Sequence, residues 1–321
     1  MITSSDTGLP SVGIVGAGVA GLACARLLAD QGVPVTVLDK GRRPGGRLAT
    51  RETDGWQFDH GAQFFTARDP AFRVLVDGGV ARAAEPAERF VGVPRMQALA
   101  ADLARGLHIR SETRIARLGF TDAAWHVYQE DGADAGGFDI VILAIPAPQA
   151  AALVEGTTLA LDARAILMAP CWTVLLGYRS RLEADFDGAF IREASLAWAA
   201  RDASKRGRPA RETWVLQASP EWSMAHLEET PESVRDALVG DFAAIARLEA
   251  AKDWTFAAAH RWRFALATLQ RREPCLFDAD LQIGLCGDWC GGARVEGAFL
   301  SGRAMAVRVL ETLAQDATSG P

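Results

Sequence analysis

A glycine-rich hexapeptide near the start of the chain has the spacing of a diphosphate-binding turn. Gly16, Gly18 and Gly21 fit the pattern Gly-x-Gly-x-x-Gly. The pattern lies between a short apolar run, Val12 to Val15, and a stretch with helical apolar spacing, Gly18 to Gln31. In such a turn the first glycine permits the sharp bend, the second lets a diphosphate approach the backbone, and the third lets helix and strand pack closely. The N–H groups and dipole of the helix N-terminus favour a bound anion, so the expected chemistry is the binding of a dinucleotide.

A carboxylate follows this turn at the distance that a dinucleotide site requires. Asp39 ends the β-branched run from Val33 to Leu38, about twenty residues after the glycines. There it can accept hydrogen bonds from the ribose hydroxyls of an adenosine. Because the strand, the helix and the carboxylate are in register, dinucleotide binding is favoured over a purely structural glycine turn.

Two later segments point to FAD rather than NAD. Residues 39–47 contain a glycine pair followed by an arginine, and they resemble the second dinucleotide motif of the glutathione-reductase-like flavoproteins. Gly46 allows a close approach of the backbone, and Arg47 offers a planar guanidinium to the diphosphate or to the flavin edge. Gly287 and Asp288 follow an apolar strand and resemble the motif that these proteins place at the ribityl chain of the flavin. The resemblance implies a bound FAD.

Three stretches narrow this resemblance to the renalase family, whose bacterial members are often labelled flavin amine oxidases. They are Arg47 to Arg51, Phe58 to Thr66 and Val295 to Gly302, and the similarity extends over nearly the whole chain, with its middle least distinctive. The resemblance implies a noncovalent FAD and the oxidation of the 2- and 6-dihydro isomers of NAD(P)H to NAD(P)+. It also implies hydride transfer to flavin N5 and reoxidation by O2, which yields H2O2. The expected partners are therefore a small dinucleotide substrate and O2.

The run Asp-His-Gly-Ala-Gln supplies two candidates for the wall beside the flavin and for recognition of the substrate amide. They are His60 and Gln63, and for His60 the alternative is a satisfied structural histidine. Trp289 either covers the flavin or packs in the core. At the start of the last predicted helix, backbone N–H groups near Gly297 would stabilise the negative charge that develops at flavin N1 on reduction.

These arguments define a complete predicted site with no metal ligands. The predicted catalytic residues are His60, Gln63 and Trp289. The predicted cofactor contacts are Gly16, Ala17, Gly18, Ala20, Gly21, Asp39, Lys40, Gly46, Arg47, Gly61, Ala62, Gln63, Gly287, Asp288, Glu296, Gly297 and Ala298. Arg261 and Arg263 lie on a predicted strand in which polar and apolar residues alternate. They either bind substrate phosphates or form a solvated face, and the solvated face is the more common arrangement.

The cysteines favour neither a disulfide framework nor a metal site. Their number is odd, they are scattered along the chain, and most lie in apolar runs, which suits reduced thiols in the core. They are Cys24, Cys171, Cys275, Cys286 and Cys290. The Ser-Gly-Gly-Cys-Tyr pattern that carries a covalent flavin in monoamine oxidases is absent from the sequence. The flavin is therefore expected to be noncovalent.

Composition argues against several other classes. The chain has 321 residues, of which 49% are hydrophobic and 23% charged, as in globular proteins. Its net charge of −6 argues against a nucleic-acid or anionic-membrane partner. Residues 1–10 lack a signal-peptide pattern and no apolar run of about 18 residues follows, so we expect a cytoplasmic protein. The sequence leaves the oligomeric state open.

The elements that must position this site predict an α/β protein with an α+β second domain. We expect a glutathione-reductase-like Rossmann domain that binds FAD and a smaller antiparallel-sheet substrate domain, in a monoamine-oxidase-like arrangement. The FAD domain is predicted to be discontinuous, over residues 1–70, 94–157 and 275–321, and the substrate domain to comprise residues 71–93 and 158–274. Among the local predictions are a functional loop over 41–61 and helices over 94–107 and 231–250.

Two other functions stay open at this point. The first is a flavin amine oxidase or a desaturase that acts on another small substrate. The second is a non-catalytic flavin-binding protein that has kept the glycines and carboxylates of the cofactor site. A plain nicotinamide dehydrogenase is disfavoured because it would not need Arg47 or the distal Gly287-Asp288 pair.

Overall fold

The structure, a computed structural model, describes residues 9–84, 88–192 and 195–319. Most of the opening stretch 1–10, in which no targeting pattern is found, lies outside these residues. The α-helices are α1 (Val19–Asp30), α2 (Pro70–Leu75), α3 (Ala98–Leu103), α4 (Ala147–Leu153), α5 (Thr158–Arg164), α6 (Pro220–Ala225), α7 (Pro231–Ala246) and α8 (Val295–Ser319). The strands are β1 (Val12–Val15), β2 (Val35–Leu38), β3 (Thr50–Thr53), β4 (Trp56–Asp59), β5 (Ala81–Ala84), β6 (Arg89–Gly92), β7 (His108–Arg110), β8 (Ile115–Thr121), β9 (Ala124–Gln129), β10 (Asp134–Phe138), β11 (Ile140–Leu143), β12 (Met168–Tyr178), β13 (Gly188–Phe190), β14 (Leu196–Arg201), β15 (Glu212–Ala218), β16 (Phe256–Ala267), β17 (Leu276–Asp278) and β18 (Ile283–Leu285).

A six-stranded sheet in the described chain has the order β17-β18-β11-β1-β2-β7. Its strands are parallel except β17, which runs antiparallel to β18. The central strands β1 and β11 are buried along their whole length, as strands covered on both faces are. Helices α1 and α8 pack together against this sheet. Their close approach requires Gly302, because a β-carbon there would run into the backbone oxygen of Ala20.

A five-stranded antiparallel sheet, β13-β14-β15-β12-β16, forms the second layer of the molecule. One of its faces packs on α7 through apolar residues from both elements, including Val174, Leu176, Trp214, Leu238 and Phe242. Thr230 caps this helix, since its hydroxyl accepts a hydrogen bond from the N–H of Ser233. The helix ends at Ala246 rather than at the predicted residue 250, because Arg247 takes a left-handed conformation with φ of +55°.

Three local predictions are wrong. Residues 41–61 do not form a continuous loop, since β3 and β4 pair as a hairpin around the turn Asp54-Gly55. Both turn residues have positive φ, +49° and +75°, as the Asp-Gly hairpin signal would have indicated. The helix predicted over 94–107 is confined to Ala98–Leu103. The helix predicted over 231–250 ends four residues early, at Ala246.

The described helices include none that is both long enough and apolar enough to cross a membrane.

Candidate functional site

The sequence-distant motifs meet at one edge of the parallel sheet. The strands β2, β1, β11 and β18 are neighbours that run in the same direction, so their carboxyl ends lie together. Gly16 follows β1, Asp39 follows β2 and Gly287 comes two residues after β18. Ligands of open α/β sheets bind at this edge, where the strand order reverses.

The glycine turn forms an open cradle at the N-terminus of α1. Gly16 has φ of +108°, which a residue with a side chain rarely adopts. Gly18 occupies the N-cap position, no side chain caps the helix, and its first turn has no acidic residue. A β-carbon on Gly18 would have no heavy atom within 4 Å, whereas one on Gly21 would run into the backbone oxygen of Gly16. The free N–H groups therefore face open space that can hold a diphosphate.

The second glycine segment lies against this cradle. Gly45 donates its backbone N–H to the oxygen of Ala17 at 2.8 Å, and a β-carbon on Gly46 would lie 3.3 Å from Cα of Gly18. Asp39 accepts hydrogen bonds from the backbone N–H of Ala17 at 2.6 Å and of Gly41 at 2.7 Å. A carboxylate accepts about four hydrogen bonds, so capacity is left for ribose hydroxyls. Lys40 is exposed beside it.

An ion pair joins the second and third motifs. The guanidinium of Arg47 donates to both carboxylate oxygens of Asp288, at 2.9 and 2.6 Å. It also donates to the backbone oxygen of Ala265, on β16, at 3.0 Å. The sequence assigned Arg47 to a diphosphate or flavin edge and Asp288 to a ribityl chain, and the structure shows that the two side chains bind each other.

The loop after β4 lies between Arg47 and the antiparallel sheet. A β-carbon on Gly61 would run into the backbone oxygen of Arg47, which accepts the N–H of Ala62 at 2.9 Å. On the other side, Gln217 donates to the oxygen of Gly61 at 2.8 Å. The loop is therefore held from both sides by backbone contacts that leave no room for a side chain at 61.

The side chain of Gln63 is committed to this loop. Its amide nitrogen donates to the backbone oxygens of Asp59 at 2.5 Å and Gly61 at 3.1 Å. Its amide oxygen accepts a hydrogen bond from the ammonium group of Lys205 at 3.0 Å. With both N–H groups used and the residue 6% exposed, Gln63 stabilises the loop rather than presenting its amide to a substrate.

His60 lies at the centre of an aromatic contact. Its ring stacks on Trp262 with centroids 5.1 Å apart and meets the ring of His260 edge-on at 5.0 Å. The indole N–H of Trp262 donates to the backbone oxygen of His60 at 2.8 Å. His60 is 8% exposed, and its Nδ1 has no hydrogen-bond partner among the described residues.

Both imidazoles are held in the neutral form. Burial, the neighbouring His260 and the positive charge of Arg51 lower the pKa of His60 to about 4. Burial and the charges of Arg51 and Lys40 also lower the pKa of His260. At neutral pH the pair is therefore uncharged; Arg51 acts on both rings and Lys40 on His260 as a positive charge, while Asp59 opposes them as a negative charge near His60.

One row of residues across the five-stranded sheet faces the loop. Neighbouring strands place these residues opposite one another: Phe190, Trp198, Gln217, Thr173 and His260. Phe64 contacts Phe190 and Trp198 at centroid distances of 6.2 and 5.8 Å, and His60 contacts His260. The loop and this row form the two sides of a junction between the sheets.

Two of the predicted contacts have other roles in the structure. Trp289 is 0% exposed, its indole donates to the backbone oxygen of Ile145 at 3.1 Å, and it packs in the core, which is the second of the two alternatives considered for it. Glu296 accepts hydrogen bonds from the backbone N–H groups of Arg68 and Asp69 at 2.5 and 2.6 Å. Its carboxylate therefore anchors the start of α2.

The start of α8 keeps its backbone close to the preceding loop. A β-carbon on Gly297 would run into the backbone oxygen of Gly292. The backbone N–H of Ala298 donates to the oxygen of Arg294 at 3.0 Å. The two strand arginines take the solvated-face alternative: Arg261 and Arg263 both pair with Glu228 at 2.8 Å, on the opposite face of β16 from His260.

An arginine-rich cavity of about 660 Å³ lies away from these residues. Trp56 lines it at the beginning of β4, whereas His60 follows the end of that strand. Its other lining residues include Tyr178, Arg179, Arg181, Arg201 and Arg211. The cavity therefore lies at the opposite end of the hairpin from the candidate site.

Sequence reasoning missed three residues of the site. Trp262 and His260 were recognised only as part of an alternating strand, and Lys205 was not singled out. The spacing Asp202-x-x-Lys205-x-x-Arg208 is the one available signal, and it is too common to predict a site without the fold.

Comparison with known families gives two matches. The family described as flavin containing amine oxidoreductase matches residues 82–310, and the NAD(P)-binding Rossmann-like domain matches residues 14–77. Together the two matches cover most of the chain and both of its main sheets.

Relatives of known activity match over short segments. A carotenoid 3,4-desaturase of Haloarcula japonica is 40% identical over 65 residues, which are 20% of this chain and 13% of that protein. An L-amino-acid oxidase of Siganus canaliculatus is 38% identical over 81 residues, 23% of this chain and 15% of that protein. The chain thus matches less than a sixth of the length of each relative.

A solved structure matches nearly the whole chain. A protein of Exiguobacterium sp. 255-15, provisionally described as a protoporphyrinogen oxidase, superposes with a TM-score of 0.77 at 15% identity, over 96% of this chain and 100% of that one. The likeness confirms the predicted fold class, a Rossmann-like domain joined to an antiparallel-sheet domain.

The open cradle beside Gly18 generates the first prediction. Gly18→Val is expected to fold, because φ of −75° and ψ of 177° suit any residue and the new β-carbon has no heavy atom within 4 Å. Its side chain would fill the cradle, so FAD affinity should fall by at least about ten-fold, or about 1.4 kcal/mol. Titration of FAD into the apoproteins measures this. Gly240→Val, at another open position, is the control, and equal affinity for FAD in all three proteins would refute the cradle.

The neutral state of His60 generates a pH prediction. Since its pKa is about 4 in the folded chain and 6.5 in the reference state, the unfolded chain binds the proton first as the pH falls. Between pH 7 and pH 4.5 the free energy of unfolding of the parent should therefore fall by about 2 kcal/mol more than that of His60→Gln. Urea unfolding of both apoproteins at the two pH values measures the difference. An equal difference between the stabilities of the parent and His60→Gln at both pH values would contradict the neutral state of His60.

Proposed function

Since the chain belongs to the family of flavin-containing amine oxidoreductases, we propose that it is an FAD-dependent oxidase of the 2- and 6-dihydro isomers of NAD(P)H. Membership in this family confirms the predicted flavin cofactor. When bound, FAD would supply a two-electron hydride acceptor that O2 can reoxidise, with H2O2 as the expected product. The dinucleotide product is NAD(P)+.

The proposal places FAD along the carboxyl edge of the parallel sheet. The diphosphate would lie on the free N–H groups of α1 beside Gly18, and Asp39 would accept the ribose hydroxyls. Asp288, oriented by Arg47, would accept the ribityl hydroxyls. The support for this placement is the open cradle and the close approach of the second glycine segment.

The charges around the imidazole pair favour a dinucleotide substrate over an amine. His60 and His260 are neutral at pH 7. Arg51 acts on both rings as a nearby positive charge, and Lys40 acts on His260. Such a field attracts an anion and repels an ammonium group. A dinucleotide carries two phosphates, whereas an amine substrate is a cation, so this observation favours the dinucleotide.

The residues at the junction would orient the substrate ring and limit its contact with water. Oxidation of a dihydropyridine needs a hydride donor fixed against the flavin, and no protein base has to remove a proton. The flat face formed by His60 and Trp262 can orient a planar nicotinamide, and the bond from Trp262 to the backbone of His60 fixes both rings. The loop residues Asp59, His60 and Gln63 and the row residue Thr173 are buried, whereas Phe190 at the edge of the row is exposed, so this face is shielded from water on its inner side.

An amine oxidase or desaturase is the second candidate. The family match and the similarity to an L-amino-acid oxidase and a carotenoid desaturase favour it. Against it, both tyrosines of the chain are engaged elsewhere: Tyr178 donates to the backbone oxygen of Ala251, and Tyr128 lies under the guanidinium of Arg117. An aromatic cage around an ammonium group would therefore have to be built from tryptophan and phenylalanine alone. A non-catalytic flavin protein, the third candidate, would be reduced by none of these substrates.

The test is the anaerobic reduction of the bound flavin, followed by stopped-flow absorbance. The holoprotein is mixed with borohydride-treated NAD+, which contains the 2-, 4- and 6-dihydro isomers. We expect rapid loss of the flavin band near ~450 nm with this mixture and slow loss with pure 4-dihydro NADH, because the reactive carbon must face N5.

Three other outcomes separate the candidates. Reduction by putrescine or by L-amino acids, with no response to the isomers, would establish the amine oxidase. Reduction by dithionite alone would establish the non-catalytic protein. Equal rates with the isomer mixture and with NADH would contradict the proposed specificity.

A further inference from the structure

Four buried charged residues lie beneath the loop that follows β4. We call Asp59, Asp202, Lys205 and Arg208 the charge quartet. The two carboxylates are 0% exposed, and the side chains of the lysine and arginine are 9% and 1% exposed. Asp59 belongs to the hairpin, whereas the other three lie between β14 and β15. The quartet therefore joins the flavin-side loop to the antiparallel sheet domain.

Each member of the quartet has opposite charges beside it. Lys205 is 2.6 Å from Asp202 and 3.5 Å from Asp59. Arg208 donates to the carboxylate of Asp59 through two nitrogens and to the backbone oxygen of Gly92 at 2.5 Å. With both acids ionised, the four charges cancel.

The carboxylates differ in their surroundings. Burial alone would raise the pKa of Asp59, but Lys205, Arg208 and the hydroxyl of Thr50 together lower it. Burial and the charge of Asp59 raise the pKa of Asp202, although Lys205 opposes that shift. The ammonium group of Lys205 at 2.6 Å and the backbone N–H of Asp59 at 3.1 Å both donate to Asp202, and these two contacts favour its ionised form against the effect of burial.

The quartet contains the first residue of loop 59–63, Asp59, and contacts the other end of the loop through a hydrogen bond to Gln63. Lys205 donates to the amide oxygen of Gln63, and the amide nitrogen of Gln63 donates to the backbone oxygens on either side of His60. The direction of this chain of bonds fixes which way the carbonyls and N–H groups of loop 59–63 point. No residue of the quartet has a place in the mechanism described above.

We propose that Lys205 and Asp202 are positioning residues that orient loop 59–63 and set the reduction potential of the flavin through the zero net charge of the quartet. The inference rests on the proposed placement of the flavin ring beside this loop. Reduction adds negative charge to the ring, so an unbalanced charge in the low-dielectric interior next to it raises or lowers the potential according to its sign.

The experiment compares two single variants of the quartet, each of which removes one charge, with their double variant in the FAD-loaded protein. Lys205→Met removes a positive charge and should shift the potential downward, and Asp202→Asn removes a negative charge and should shift it upward. The double variant restores neutrality and should return close to the parent's potential. Potentials are measured by reductive titration with a reference dye. Because the reductant is not a substrate, the result is independent of whether dihydronicotinamides are oxidised.

The control is Lys252→Met. Lys252 pairs with Glu249 at 3.0 Å, and its side chain is 54% exposed at the surface of the same domain. This variant should leave both the potential and the affinity for FAD unchanged. Shifts of the two single quartet variants in the same direction, or no shift in either, would overturn the electrostatic part of the proposal.

A neutral variant tests the orienting part separately. Gln63→Met cuts the link between Lys205 and the loop without changing any charge. FAD affinity should fall while the potential stays closer to the parent's than in either single charge variant. Unchanged FAD affinity in Gln63→Met would overturn the orienting role. Should one of the single charge variants fail to fold, the shift in the other still tests the electrostatic part, and Gln63→Met tests the orienting part.

Discussion

The site depends on the bidentate ion pair between Arg47 and Asp288. It connects residues that are 241 positions apart in the chain, and it adds a third bond to the backbone of β16. The side chain of Asp288 is 8% exposed, so loss of the arginine would leave a nearly buried carboxylate unpaired. Breaking a buried pair in this way costs about 3–5 kcal/mol. The second glycine segment, the distal carboxylate and the antiparallel sheet hold their relative positions because of this pair.

Around that pair, the two sheets supply different parts of the chemistry. The parallel sheet provides backbone N–H groups and carboxylates at its carboxyl edge, which suit a dinucleotide cofactor. The antiparallel sheet provides one transverse row of side chains, of which His260 and Gln217 contact loop 59–63. The loop is thus the part of the molecule that both sheets position, and His60 is its central side chain. Neutral imidazoles in a positive field and an internally balanced charge quartet give this junction a defined electrostatic character.

The parts of the fold that could be predicted are those fixed by local sequence. Gly16 and Gly21 predict a turn between strand and helix because the backbone conformation at Gly16 and the close packing at Gly21 demand glycine, and Gly18 completes the spacing of the motif. Thr230 predicts the start of α7 because capping is a contact within four residues. The hairpin over residues 50–59 was missed because its strands are short and polar on one face, so the Asp-Gly turn was the only local signal.

The side-chain partners in the site could not be predicted in the same way. Trp289 stands next to Asp288 in sequence, but the backbone turns it into the core, and adjacency gives no information on direction. Arg47 and Asp288 were each identified, yet their mutual bond depends on how the sheet edges align. Lys205 contacts Gln63 across 142 residues, and no pattern near either residue encodes that contact.

The affinity of the apoprotein for FAD in a double-variant cycle tests the central claim most directly. Arg47→Met and Asp288→Asn should each weaken FAD binding by about ten-fold or more, as measured by isothermal titration calorimetry. In the double variant, the loss of FAD-binding free energy should be smaller than the sum of the two single losses by about 1 kcal/mol or more, since either change alone breaks the same pair. Additive losses, or an affinity that neither change alters, would contradict the account in which this ion pair holds the cofactor site together.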